Sequence, residues 1–171
     1  LCFVVGLALG CSPVRKQWLN AYQGSEEDAF LLDDDFGCLQ QFPKIGNSHY
    51  TNINGLLEQT IAVAKDPKGK EFPVGTVVQL FPGEAMVKRH KGFSSETNDW
   101  EYLVLKEHKG KTYILDRGTT EVRNPVGTCN SCHIQAVEFD NVCSEGRGCK
   151  KLPFFAKHIA ARDVRVDSRC K

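Results

Sequence analysis

The pentapeptide Cys129-Asn130-Ser131-Cys132-His133 restricts this chain more than any other stretch. Two thiols one helical turn apart can add to the two vinyl groups along one edge of a haem, and the residue that follows then lies under the iron. The motif predicts haem c attached through Cys129 and Cys132, with His133 as the proximal ligand. A zinc site would want a second close pair, and the near candidates, Cys143 and Cys149, have five residues between them where structural sites usually have two to four. A redox dithiol would follow a strand in a βαβ unit, and the pattern shows none.

The first ten residues, LCFVVGLALG, form an uncharged apolar run too short to span a bilayer and read as the remnant of a signal peptide. The run closes as Ala8-Leu9-Gly10-Cys11, similar to a bacterial lipobox, although Ala8 and Leu9 depart from the usual residues there. Cys11 is the expected lipidation site, and Ser12 after it favours the outer membrane. The expected location is the periplasmic side of a bacterial membrane. Residues 11–35 are polar and acidic and read as a tether, leaving 36–171 as the haem domain. Eight cysteines in an exported chain then sort themselves: Cys2 leaves with the signal, Cys11 takes lipid, Cys129 and Cys132 take haem. Four remain, which allow three pairings. The glycines of 144–148 let Cys143 close on Cys149, and Cys38 with Cys170 follows by elimination.

Basic and acidic residues number 22 and 21, for a net charge of +1, which implies no broad basic face and excludes nucleic acid as a partner. Asn54 can cap a helix over 55–65, where Leu56, Leu57, Ile61 and Ala64 share a face. β-branched and aromatic runs at 72–80, 85–89, 100–106 and 112–116 follow, separated by turn residues, and predict an antiparallel sheet. Thr128 is placed to cap the haem-binding turn, a helix continues over 134–142, and a last amphipathic one covers 152–161. The fold class is α+β, an antiparallel sheet with flanking helices and a C-terminal haem-binding helix.

A sheet ahead of the motif is unusual for small cytochromes c. The stretch Phe72-Pro73-Val74-Gly75-Thr76-Val77-Val78, then Glu84-Ala85-Met86-Val87-Lys88, then Asn98-Asp99-Trp100-Glu101-Tyr102, then C-x-x-C-H, resembles in order the cytochrome P-460 family, which includes the β-sheet cytochromes c-prime-beta. The resemblance covers about residues 50 to 145. It implies a five-coordinate haem with an open distal face that binds nitric oxide or oxidises hydroxylamine. It also implies a lysine crosslinked to the haem in the catalytic branch. Here Leu80 stands at that position, so hydroxylamine oxidation is not expected, whereas Glu84 falls where the distal acid would be.

Read without the family, Glu84, Met86 and Lys88 alternate along one strand and share a face. Glu84 is a candidate acid or base toward a bound nitrogen oxide, against the alternative of a solvated turn residue. Met86 is either a sixth iron ligand, which would make an electron-transfer cytochrome, or core filler. Phe81 and Phe93 flank the strand as candidate lining of a distal pocket, against ordinary core packing. His49, His90, His108 and His158 read as surface residues. The expected partners are a small ligand such as nitric oxide, a redox protein and, through the lipid, a membrane, with a homodimer left open.

Overall fold

The computed structural model describes residues 28–80, 83–144, 147–148 and 167–170. The signal remnant, Cys11, Phe81, Cys149, His158 and the helix expected over 152–161 lie outside them. Six antiparallel strands form a meander in which each strand pairs with the next in sequence: β1 (Lys44–Ile45), β2 (Ser48–Asn52), β3 (Thr76–Leu80), β4 (Glu84–Lys88), β5 (Trp100–His108) and β6 (Lys111–Gly118). Helix α1 (Leu57–Lys65) lies between β2 and β3, and a small hairpin of β7 (Arg123–Asn124) and β8 (Gly127–Thr128) leads into helix α2 (Cys129–His133). The class is α+β, as the pattern of strands predicts.

The register puts Tyr50 opposite Val78, Val78 opposite Met86, and Met86 opposite Tyr102, so these side chains form one row on one face. That row belongs to a core that also holds Ala64, Phe72, Trp100, Val122 and Val142, with Ile61 and Cys129 at its margin. The opposite face presents Val77, Ala85, Val87, Leu103 and Leu105, covered by Ala29, Leu31 and Phe36. Residues 28–36 therefore belong to the folded domain and not to a tether. Their alternation explains it, since Ala29 and Leu31 point in while Phe30 and Leu32 stay exposed. A one-turn 3₁₀ helix over Asp33–Asp35 follows, and Asp33 accepts a bond from the Ile114 amide at 2.8 Å.

Asp28 anchors the start of this segment to Arg89 through two hydrogen bonds, Nε to Oδ1 at 2.8 Å and Nη2 to Oδ2 at 2.5 Å. The guanidinium holds the Asp28 carboxyl down at about 2 against an ordinary 3.8. A lowered carboxyl contributes stability that is present above the ordinary value and lost as pH falls through the folded one. Carboxyl-carbon NMR should therefore find Asp28 ionised until about pH 2, and Arg89→Leu should return it toward 3.8. An ordinary titration in the parent chain would show that the segment is not docked.

The helix starts later than the sequence predicts and is entered differently. Asn52 at the end of β2 supplies an acceptor at its entrance, its Oδ1 taking the amides of Asn54 and Leu56 at 2.8 and 3.1 Å. Helix α1 buries Ala64 and Thr60, and the Thr60 hydroxyl meets Thr76 Oγ1 at 2.9 Å. Strand β3 begins at Thr76, after a turn in which the Thr76 amide donates to the Pro73 carbonyl at 3.1 Å and Gly75 holds φ 84°. Cys38 and Cys170 form a disulfide, with 4.6 Å between their Cα atoms. Cys143 is also disulfide-bonded.

Candidate functional site

Residues 129–133 form a single turn of helix with Thr128 at the N-cap position. The Thr128 side chain makes no cap bond; instead Ser131 Oγ donates to the Thr128 carbonyl at 2.7 Å. The turn is fixed from below by the Cys129 amide, which donates to the Val122 carbonyl at 2.9 Å. Beyond His133 the expected helix over 134–142 becomes a 3₁₀ stretch, Ile134–Phe139, kinked at Ala136 and stopped by Asp140 and Asn141 at positive φ. Tertiary bonds override the helical pattern, because the Asp140 carboxylate takes the Phe72 amide and the Lys88 ammonium, both at 2.7 Å. Two glycines let neighbouring loops close on this stretch. A Cβ on Gly69 would lie 1.9 Å from the Glu138 carbonyl oxygen, and one on Gly148 would lie 2.7 Å from Ala136 Cα.

Both Cys129 and Cys132 are free and half-buried. Burial, helped by the negative charge of Glu84, pushes the Cys129 thiol up to about 12, so it is protonated at neutral pH. A redox dithiol needs the opposite shift. His133 sends Nδ1 to the Asn141 carbonyl at 2.8 Å, and desolvation holds its imidazole below the ordinary value. The carbonyl can only accept, so the proton sits on Nδ1 and the Nε2 lone pair is free for a metal. The Tyr102 ring packs against the imidazole, 5.1 Å between centroids, and its hydroxyl donates to Asn130 Oδ1 at 3.4 Å.

Glu84 is a strand residue, half-buried, whose Oε1 accepts from Asn124 Nδ2 at 2.8 Å. That bond joins β4 to the hairpin that feeds α2, and it brings the carboxylate close enough for its charge to act on Cys129. Leu80 faces Glu84 across β3 and β4. Met86 is 3% exposed and packs between Val78 and Tyr102 in the core. Phe93 is not on this face. Its ring lies 4.5 Å from the Arg89 guanidinium, beside the Asp28–Arg89–Glu101 network on the other side of the sheet, because Arg89 follows Lys88 and points oppositely. His49 is buried, not exposed, but it neighbours Tyr50 and so lies on that other face too, with Nδ1 at 3.3 Å from the Phe42 carbonyl. His90 and His108 are exposed as expected.

Sequence reasoning missed Asn141, Asp140 and Asn124. Asn141 acts through its backbone, which no residue type announces, while Asn124 and Asp140 lie 40 and 52 residues from the strand residues they meet. Among the described residues no three His, Cys, Asp or Glu side chains cluster as a metal cage. A haem needs no such cage, since it brings its own four nitrogens and asks for one axial imidazole and, in the c type, two thiols. The residues present fit that group. No family model, curated protein or solved structure matches the chain.

Proposed function

We propose that this chain is an exported c-type haem protein, with haem c bound covalently to Cys129 and Cys132 on α2, proximal ligation by His133, and an open distal side for small nitrogen oxides such as nitric oxide. The observation that carries this reading is the state of the motif: two free thiols, one held protonated, and an imidazole whose Nδ1 is already engaged with a carbonyl. The resemblance to the cytochrome P-460 and c-prime-beta family supports it through the order of β3, β4, β5 and the motif. When bound, the haem supplies an iron centre that takes up diatomic ligands and exchanges electrons. Each protein group has its own part. His133 and the thiols fix the cofactor to one turn of helix, Tyr102 packs on the imidazole, and Glu84 Oε2 is free of the Asn124 bond to hold or release a proton beside a ligand.

Met86 favours the open site over a six-coordinate electron carrier, because its side chain fills the row between Val78 and Tyr102. The ferrous protein should be high-spin and should change spectrum on adding nitric oxide or carbon monoxide. Met86→Ala should lower stability by about 2 to 5 kcal/mol, as for a buried methionine, and leave the spin state as it was. A low-spin ferrous spectrum that Met86→Ala converts to high spin would establish the electron-carrier reading instead. With Leu80 at the crosslinking position, hydroxylamine turnover should be negligible.

The location follows from the other end of the chain. We place the protein on the periplasmic face of an outer membrane, held by lipid on Cys11, on the strength of the apolar run that ends there. Cys11→Ser should move the protein from the membrane to the soluble fraction, and intact mass should lose the acyl chains. Membrane association that survives the substitution would rule the anchor out. A periplasmic redox protein is the expected exchange partner.

A further inference from the structure

We propose that Lys88 and Asp140 are positioning residues for His133, acting through the Asn141 carbonyl; this rests on the haem reading above. Asp140 and Asn141 both hold left-handed backbone, at φ 53° and 59°, a region that Asp and Asn enter more readily than other residues with a Cβ and that their partners here hold in place. Within their own stretch the Asp140 amide donates to the Val137 carbonyl at 3.2 Å and the Asn141 amide to the Ala136 carbonyl at 3.0 Å, and the further bonds come from the sheet and its loops. Asp140 Oδ1 accepts from Lys88 Nζ at 2.7 Å and Oδ2 accepts from the same nitrogen at 2.9 Å, while the Phe72 amide reaches Oδ2 at 2.7 Å. Asn98 Nδ2 also donates to Oδ1, and Trp100 Nε1 donates to the Asp140 carbonyl at 2.7 Å. The next residue is clamped as well, since Asn141 Nδ2 donates to the Thr97 carbonyl at 3.1 Å.

Lys88 is 2% exposed and its ammonium is not free to choose another partner: the Asn98 carbonyl takes it at 2.9 Å, the Trp100 ring lies 5.4 Å away, and Glu71 Oε1 is 3.8 Å off. A charge on strand β4 thus fixes a carboxylate 52 residues later, and the peptide after that carboxylate carries the acceptor for His133 Nδ1. Turning that peptide plane would lengthen the Nδ1 bond. The strength of this bond sets the electron density an imidazole gives its metal, so the ion pair acts on the iron without touching it. A clamp that served stability alone would have no reason to end on the one carbonyl that His133 uses.

The test uses the full chain produced with haem-attachment machinery, as parent, as Asp140→Asn, and as the double variant Lys88→Met with Asp140→Asn. The double variant removes both charges and leaves no unpaired buried ion, whereas a single charge deletion strands the partner's charge in the core. Two readouts follow His133 itself. Solvent exchange of the Nδ1 proton, read by nitrogen-edited NMR in the diamagnetic ferrous carbon monoxide form, should quicken about tenfold or more in both variants as the hydrogen bond weakens. The iron–histidine stretch of the ferrous protein should fall. Parent values for both readouts in the double variant, with only the melting temperature lowered, would overturn the proposal and leave the pair a structural clamp. Should the chain carry no haem, the haem reading fails separately, and the Nδ1 exchange measured on the haem-free chain still decides whether Lys88 and Asp140 position His133.

Discussion

Replacing Cys129 and Cys132 together with serine should abolish covalent haem, so that acid-acetone extraction strips all colour from a protein whose parent keeps it. The expected effect is all-or-none, because thioether bonds do not dissociate and two of them are the whole covalent link. Either single variant should keep colour through one thioether, with the haemochrome spectrum shifted by the remaining vinyl group. The geometry argues for this chemistry over a dithiol. With Cys129 up at about 12, its thiol is protonated at neutral pH and is a poor nucleophile for disulfide exchange. Slow alkylation of the haem-free chain by iodoacetamide would agree with that. Colour retained by the double serine variant, or a parent that takes up no haem, would sink the reading at its centre.

The motif was legible because its chemistry is local: five consecutive residues on one helical turn need no knowledge of the rest of the chain. Strands β3 to β5 were legible for a similar reason, since Val77, Val78, Met86, Val87, Tyr102 and Leu103 alternate between two apolar faces and a sheet packed on both sides reads as a nearly continuous apolar run, whereas the mostly exposed β6 was marked by its β-branched and aromatic residues alone. Polar strands are poorer signals. Strand β2, Ser-His-Tyr-Thr-Asn, carries polar residues that serve turns elsewhere, and its pairing with β1 and β3 makes it a strand. Residues 28–36 hid in plain view, because four aspartates mask the alternation of Ala29, Leu31 and Phe36 that covers the second face.

The candidate site divides the same way. Cys129, Cys132 and His133 come from the motif, and Glu84 from strand alternation, and the structure brings all four to one end of one face. Phe93 was misplaced because closeness in sequence to β4 does not fix a face once a turn intervenes. What the sequence could not show is the outer layer: Asn124 on Glu84, Asn141 on His133, Lys88 on Asp140. Each is a pairing between segments far apart in the chain, created only when the sheet closes over α2.

A large stability effect should come from the Cys38–Cys170 disulfide. It ties the segment ahead of β1 to residues 168–170 across a separation of 132 residues, so the loop it closes includes every strand and both α-helices among the described residues. A crosslink over so long a loop restrains the unfolded chain strongly; typical losses on removal are about 2 to 4 kcal/mol, and the chain-entropy relation puts the limit near ~5. The tail adds polar contacts that depend on being held there. Asp167 Oδ2 takes the Leu39 amide at 3.1 Å, Arg169 Nη1 donates to Thr112 Oγ1 at 3.0 Å, and the Gly110 amide donates to Ser168 Oγ at 2.8 Å. These groups sit at the β5–β6 hairpin, away from α2. Cys38→Ser with Cys170→Ser should therefore lower the melting temperature by roughly 5 to 15 °C for a domain of this size while leaving the haem spectrum unchanged. A melting temperature within a degree or two of the parent would mean that the bridge does not form in the folded protein, and a changed haem spectrum would mean that the tail reaches the site after all.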